Sequence, residues 1–258
     1  MNPRIEKQET YRERITRLAQ SLAGAHHAEV LDDLATGSSA ALVKMFTDGN
    51  VDKRFEKLRR QVEFLEPAFA DFDRLLMSFI RAVPLQAYDT GASDGERFLQ
   101  WVEQTENPLP EQRDYIACQR GRHAVEALAR ANRLAHVRFQ ELLSMSFALA
   151  NELETNRKLK LCLNPIRVWS RFETTELLDE SATAPAEVVF FPVGGDIHTA
   201  ILETDGLERV RELSSLGPST LDEWQRLLEP FVGLENVGRQ QLIAISRDLA
   251  EIGLLAFC

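Results

Sequence analysis

The sequence predicts an α+β protein with a mostly helical N-terminal domain, residues 1–160, and a small winged helix-turn-helix domain, residues 161–258. Apolar residues recur every three or four positions through most of the first part, which is the spacing of amphipathic helices. After residue 160, short β-prone runs and turns precede helical segments, which predicts a three-stranded sheet and three helices. The length of 258 residues is sufficient for two domains.

The helical part is predicted from apolar stripes. Residues 10–23 carry Tyr11, Ile15, Leu18 and Leu22 at helical spacing. A second stripe runs over residues 51–83, where Pro67 is expected to divide one helix into two because proline removes a backbone donor. Residues 111–154 are expected to form one long helix whose weak point is Gly121.

The strands are predicted around two turns. Residues 161–174 contain Asn164-Pro165 and then alternate apolar and polar side chains, which is typical of a strand. Residues 187–193 and 197–203 flank Gly194-Gly195-Asp196 and are expected to form a β-hairpin.

Three helical segments follow the hairpin, over residues 206–216, 220–231 and 238–252. Thr220 and Glu223 have the spacing of a capping box, in which each side chain satisfies a backbone amide near the other residue. Gly253 is placed to terminate the last helix in a left-handed conformation.

The charge distribution argues against nucleic acid as a ligand. The chain has 30 Lys and Arg against 40 Asp and Glu, a net charge of -10. Residues 166–258 contain 7 Arg, no Lys and 16 acidic residues, so this part carries about -9. A recognition helix in this domain would be repelled by phosphates, so the winged-helix pattern favours another use.

No membrane segment or disulfide framework is predicted. Residues 1–14 are dense in charge and lack an apolar core, and no apolar run approaches the roughly 18–20 residues that span a bilayer. Cys118, Cys162 and Cys258 are an odd, widely spaced set. We therefore expect a cytoplasmic protein with reduced cysteines.

The familiar signatures of catalysis are missing from the sequence. It has no HExxH, GxSxG, GxGxxG or Walker A motif. His26 and His27 are adjacent and would diverge on a helix, and Cys118 and His123 are five residues apart, off the i, i+4 face. We therefore expect no catalytic residue, no metal site and no cofactor in this chain.

Peptide capture is the function that the winged-helix pattern favours. A three-stranded sheet leaves its third strand as an edge that can pair with an extended peptide, and the last helix would form one wall of the groove. The alternative is that the helical domain covers this edge strand, so that no peptide pairs with it. The predicted peptide-binding residues are Ile197, His198, Thr199, Ala200, Ile201, Arg239, Leu242 and Arg247.

Arginines along the predicted long helix form a second candidate surface. Arg120, Arg130 and Arg133 have few acidic neighbours. Together with Trp169 and Arg171, near the predicted domain junction, they are our candidates for binding a partner protein. A solvated helix face is the alternative interpretation.

Several short sequences resemble known proteins of peptide natural-product maturation. Thr220-Leu-Asp-Glu-Trp224, Gln241-Leu-Ile-Ala-Ile245 and the run from Asp248 to Leu255 resemble the end of the PqqD-like recognition element. Short segments further upstream also resemble the MbnC/TglI-like partner subunits of the multinuclear non-haem iron oxidases that modify cysteines. They are Phe98-Leu-Gln-Trp101, Arg113-Asp-Tyr115, Ala127-Leu-Ala-Arg-Ala131, Leu161-Cys-Leu-Asn-Pro165 and Val168-Trp169.

This resemblance implies a non-catalytic subunit of a heteromeric complex. Such a subunit binds the leader of a ribosomally synthesised precursor peptide by edge-strand addition and presents its cysteine to the oxidase, which holds the iron. Two other functions remain open: a winged-helix transcription regulator with a helical effector domain, and a stand-alone enzyme with a site between the domains. A DNA affinity that falls as the salt concentration rises would favour the transcription regulator. Tightly bound metal would favour the stand-alone enzyme.

Overall fold

The protein has the predicted α+β fold. The computed structural model describes residues 38–83, 92–178, 182–201, 217–228 and 239–258, with positions 210 and 214. The predicted helix over residues 10–23 lies outside these ranges, as does most of the predicted helix over residues 206–216.

Helices dominate the N-terminal part. Five α-helices precede the first strand in the described ranges: α1 (Ser38–Gln61), α2 (Phe72–Ala82), α3 (Asp94–Thr105), α4 (Pro110–Ala131) and α5 (Arg133–Leu149). A 3₁₀ helix, Glu63–Ala68, contains Pro67 and separates α1 from α2, so the predicted division at this proline is confirmed. None of the helices in the described part of the chain has the length and apolar character needed to cross a bilayer.

The predicted long helix over residues 111–154 breaks at Asn132, so the expectation of a weak point at Gly121 was wrong. Asn132 leaves the helical region, with φ -114° and ψ 39°. Its side-chain amide donates to the Leu128 carbonyl at 3.1 Å. Asparagine bonds its local backbone readily and so competes with the helix, whereas Gly121 lies inside the continuous helix α4.

Backbone contacts divide the chain into two compact units, residues 1–112 and 113–258. The predicted boundary at residue 160 falls within the second unit. One reason is Asp114 of α4, which is buried and accepts the backbone N–H groups of Glu173 and Thr174 at 2.7 and 2.8 Å. Because these bonds are charge-assisted, they tie α4 firmly to the chain that follows β2 (Val168–Phe172).

The first unit has an aromatic core. Phe79 packs edge-to-face against Phe98, with ring centroids 5.4 Å apart, and contacts Trp101 at 5.8 Å. Phe72 also packs edge-to-face against Phe98, with ring centroids 6.4 Å apart. These pairs join α2 to α3, and the edge-to-face geometry is the one that aromatic quadrupoles favour.

A buried arginine connects the described helices α1, α2 and α3. Arg54 of α1 forms a bidentate ion pair with Asp94 at the start of α3, with both N–O distances 2.9 Å. It also donates to the Val83 carbonyl at 2.8 Å, at the end of α2. Its guanidinium carbon lies 5.2 Å from the Phe79 ring centroid. The arginine therefore satisfies acceptors on two helices while remaining out of water.

The second unit contains two antiparallel three-stranded sheets among its described residues. Their strands are β1 (Lys160–Leu163), β2 (Val168–Phe172), β3 (Ala186–Val193), β4 (Asp196–Ile201), β5 (Ser219–Thr220) and β6 (Leu255–Phe257). The strand orders are β5-β1-β6 and β2-β3-β4. The second order is the predicted sheet, and the first was not predicted.

Asn164 separates the two sheets and divides the predicted strand over residues 161–174. Its side chain accepts the Ile166 N–H at 3.0 Å and donates to the Pro192 carbonyl at 3.1 Å. Because this fully buried amide turns the chain, β1 pairs with β6 while β2 pairs with β3. The sequence pattern alone did not reveal this change of sheet.

Two helices, α6 (Leu221–Leu228) and α7 (Arg239–Glu251), complete the described fold. The predicted capping box is confirmed: the Thr220 N–H donates to the Glu223 carboxylate at 2.7 Å, and the Glu223 N–H donates to the Thr220 hydroxyl at 3.2 Å. The backbone bond from Thr220 lowers the pKa of Glu223. Gly253 has φ 83° and ends α7 as predicted.

Strand β3 is buried on both faces. On one face, the position of a Cβ on Gly121 of α4 would lie only 2.8 Å from the Phe190 ring. On the other, Val189 and Phe191 join a core cluster with Trp224 of α6 and Leu242 of α7. Gly121 is therefore the residue that permits a helix to approach this sheet closely.

Replacing Gly121 with Ala is expected to lower the free energy of unfolding by about 1–3 kcal/mol, because the added methyl overpacks the buried Phe190 ring. Urea denaturation followed by circular dichroism measures the change. Gly49→Ala in α1 is the matched control, since its added Cβ would meet no atom within 4 Å. That control is expected to be neutral or slightly stabilising, and equal effects at both positions would contradict the close-approach explanation.

Candidate functional site

Strand β4 forms an edge of the β2-β3-β4 sheet, as predicted for peptide capture. Its described neighbour is β3, which pairs with it from Val188↔Ile201 to Val193↔Asp196. Among the described residues, no strand pairs with its other side. An edge strand presents unpaired backbone groups that can bond another chain.

The hairpin geometry shows which backbone groups face outward. Gly194 and Gly195 form a two-residue turn, so Val193 and Asp196 are the hydrogen-bonded pair that closes it. Hydrogen-bonded and non-hydrogen-bonded pairs alternate along an antiparallel ladder. The pair Pro192↔Ile197 is therefore non-hydrogen-bonded, which suits a proline that has no N–H.

The same alternation continues along β4. Ile197, Thr199 and Ile201 direct their N–H and C=O groups to the free edge, while His198 and Ala200 bond to β3. Of the five predicted edge residues, His198 and Thr199 are exposed and the other three are half-buried. A peptide added here would therefore meet three residues with outward-facing backbone groups and a surface of mixed polarity.

At Leu242, one of the predicted peptide-binding positions, helix α7 packs into the core and does not line an open groove. Leu242 is fully buried in the cluster that contains Val189 and Phe191, and Ala200 of β4 packs against the same cluster. This face of the sheet therefore borders the core cluster to which α7 contributes Leu242. A hydrophobic helix stripe has the same sequence pattern whether it covers a core or lines a groove, so sequence could not separate the two.

The two predicted arginines of α7 have partners within the chain. Arg239 forms an ion pair with Asp222 of α6. Arg247 donates to the Ala150 carbonyl at 3.4 Å and to Glu154 at 3.3 Å. An acidic peptide side chain would have to compete with these acceptors for either guanidinium.

The predicted partner-binding residues lie in different places. Arg130 and Arg133 are exposed on either side of the break at Asn132, and Arg120 is half-buried on α4. Trp169 and Arg171 lie on one face of β2 because they are two residues apart, with Arg171 directly opposite Glu187 of β3.

Trp169 packs against the core cluster that contains Val189. Gly121 of α4 approaches the other face of that sheet through Phe190. The five predicted residues therefore belong to two regions of the second unit, one on α4 and α5 and one on β2.

A cavity of about 320 Å³ beside β1 was not predicted. Its apolar lining includes Phe139 and Leu142 of α5 and Leu161 of β1, and Arg138 and Arg167 also line it. Arg167 donates to the Asn164 carbonyl at 2.5 Å, and burial lowers the pKa of Arg167. The structure records no acidic partner for either arginine among the described residues. An apolar cavity with such cations suits a ligand that has an apolar body and an anionic group.

No cluster of three or more His, Cys, Asp or Glu side chains suited to a metal ion occurs in the described ranges. His198, the one histidine on β4, is exposed and lies 6.2 Å from the Phe191 ring centroid, as expected for residues directly opposite in the ladder. The edge of β4 thus offers backbone hydrogen bonding and side-chain contacts as its chemistry.

Comparison with known proteins identifies no relative: no protein-family model, curated protein or solved structure matches this chain.

Proposed function

We propose that this chain is a peptide-binding subunit of a peptide-modifying complex and that it captures an extended segment on the free edge of β4. The observation that carries the proposal is the set of outward-facing backbone groups on Ile197, Thr199 and Ile201. A peptide strand that pairs with them gains main-chain hydrogen bonds, each contributing about 0.5–1.5 kcal/mol, and contacts the half-buried isoleucines.

The charge of the region shapes the peptide that would bind. Residues 166–258 carry about -9, and both arginines of α7 have acidic partners. Backbone pairing at β4 needs no acidic side chain from the peptide. We therefore propose a leader recognised mainly by its extended backbone and apolar side chains, rather than by ion pairs to Arg239 and Arg247.

The partner in this proposal is a multinuclear non-haem iron oxidase, as the sequence resemblance implies. The oxidase holds the iron and performs the oxidation, and this chain presents a precursor-peptide cysteine to it. We propose that the complex works in the cytoplasm. Arg130 and Arg133 are candidates for the oxidase-binding surface because both are exposed, although Arg130 also pairs with Glu126 at 3.9 Å.

Replacing Thr199 with Pro is expected to weaken peptide binding by about tenfold or more. Proline removes the N–H that faces the free edge, and its ring obstructs an added strand, whereas the β3–β4 bonds of His198 and Ala200 remain. The probe is a linear, cysteine-containing peptide selected from a displayed random library against the full chain. Fluorescence anisotropy of the labelled peptide measures the dissociation constant.

Thr199→Ala is the matched control, because it removes the side chain and keeps the outward N–H. It is expected to bind within about threefold of the wild type, since a surface substitution changes free energies by about 0.5 kcal/mol or less. Equal affinity of the proline and alanine variants would refute strand addition at β4. Failure of the selection to return any binding peptide would also count against the proposed function.

A further inference from the structure

Two thiols lie in contact on the sheet that the sequence did not predict. The Sγ atoms of Cys162 and Cys258 are 2.9 Å apart, although 96 positions separate these residues along the chain. Both are free cysteines. At this separation the two sulfurs are in direct contact, as the formation of a bond between them requires.

The register of β1 and β6 produces this contact. Cys162 lies directly opposite Ala256 in the ladder. Beyond β6, Cys258 and Lys160 exchange backbone hydrogen bonds of 2.7 and 2.9 Å, so the pairing continues by one residue. Residues two apart share a face of a strand, and the two cysteines are therefore diagonal neighbours on one face of the sheet.

The two thiols differ in their surroundings. Cys258 is exposed, whereas Cys162 is buried and lines the cavity beside β1. Burial, followed by the hydrogen bond with Cys258, raises the pKa of Cys162 to about 12. Lys160, on the same face, opposes this shift. The exposed thiol is thus the accessible one, and the buried thiol is held against it.

We propose that Cys162 and Cys258 form a reversible redox site that a low-molecular-mass disulfide oxidises to an intrachain disulfide. The Cys258 thiolate attacks one sulfur of the small disulfide, forms a mixed disulfide and releases one small thiol. Cys162 then gives up its thiol proton and its sulfur attacks the Sγ of Cys258; the bond to the small molecule breaks, the protein disulfide forms, and the second small thiolate leaves and takes up a proton. The protein loses two protons and two electrons, which the small disulfide accepts as it becomes two thiols.

This site is independent of peptide binding at β4, and it has a structural consequence. The bond would fasten β1, the central strand of its sheet, to the residue that follows β6. It would also withdraw the Cys162 thiol from the cavity wall. Because thiolate is the attacking species, the first step is expected to accelerate as the pH rises.

The test treats the purified, reduced full chain with oxidised glutathione under native conditions. Titration of the denatured, acid-quenched protein with a thiol reagent is expected to show that free thiols fall from three to one. Intact mass should show loss of two hydrogens without retained glutathione, and peptide mapping should link Cys162 to Cys258. Dithiothreitol should restore all three thiols.

Single variants separate the two steps. Cys162→Ser is expected to stop at a stable glutathione adduct on Cys258, because the resolving thiol is missing. Cys118→Ser is the matched control: Cys118 is buried on α4, and its variant should still lose both remaining thiols. A wild-type chain that keeps three thiols, retains glutathione, or links only between molecules would overturn the proposal.

Discussion

Replacing Arg54 with Met is expected to lower the free energy of unfolding of the first unit by about 3–5 kcal/mol. The side chain of Arg54 is 4% exposed, and that of its partner Asp94 is 13% exposed. Methionine retains much of the stem but leaves the Asp94 carboxylate without its bidentate partner. The carbonyl of Val83 also loses its donor.

Hydrogen exchange of the α1–α3 amides, read at increasing urea, measures this loss within the first unit. Arg60→Met on the same helix is the matched control. Arg60 is largely exposed and its ion pair with Glu56 is 3.4 Å long, so a change below about 0.5 kcal/mol is expected.

The double variant Arg54→Met/Asp94→Leu is expected to recover part of the stability, because it removes both members of the buried ion pair. If the double variant were as unstable as both single changes added together, the ion pair would not be the cause. Equal losses for Arg54→Met and Arg60→Met would contradict the explanation as well.

Truncating Trp224 to Ala is expected to destabilise the second unit by about 3–5 kcal/mol. Trp224 is fully buried in the core cluster, to which β3 and α7 also contribute residues. Alanine would leave a cavity that surrounding side chains can fill only in part. The midpoint of urea unfolding, followed by far-ultraviolet circular dichroism, measures the change without depending on tryptophan fluorescence.

Trp224→Phe distinguishes the cavity from the indole N–H. The Nε1 atom of Trp224 is buried and has no hydrogen-bond partner among the described residues. Phenylalanine fills much of the space and removes this unpaired donor, so a cost below about 2 kcal/mol is expected. Gln225→Ala, the next residue on α6, should change stability by about 0.5 kcal/mol or less. A phenylalanine variant as unstable as the alanine variant would exclude the cavity explanation.

Local signals of the sequence predicted the fold class and several element ends. The hairpin at Gly194-Gly195, the capping box at Thr220 and the helix end at Gly253 each depend on residues within a few positions. The preferences of glycine and of a capping hydroxyl are local physical properties. Such features can be read from a single sequence.

Long-range pairing was not predictable in the same way. Strands β5 and β6 contain two and three residues, which is too short for an alternating pattern to stand out. Their partner β1 lies far from them in the sequence. The contact between Cys162 and Cys258 follows from that pairing, and so it was missed together with the sheet.

Only part of the candidate site could be predicted from the sequence, for related reasons. Strand β4 lies at the edge because the β3–β4 hairpin pairs with one further strand, β2, through β3. The local turns of the sequence predict this hairpin. The environment of Leu242 depends on which element packs against α7, and no pattern within the helix specifies this. The partners of Arg239 and Arg247 likewise come from other elements. Binding of a peptide leader and of an iron oxidase remains a prediction from resemblance.

The position of β6 has a consequence for biosynthesis. Leu255, Ala256 and Phe257 have no exposed surface, and they pair with β1, about ninety residues earlier in the chain. During translation, β1 leaves the ribosome well before β6 has been synthesised. The apolar face of β1 therefore remains unpaired with β6 during that time. We therefore expect the second unit to complete its core only after Phe257 has been released from the exit tunnel. Until then the exposed apolar surface and unpaired strand edge of the nascent segment would make it prone to aggregation.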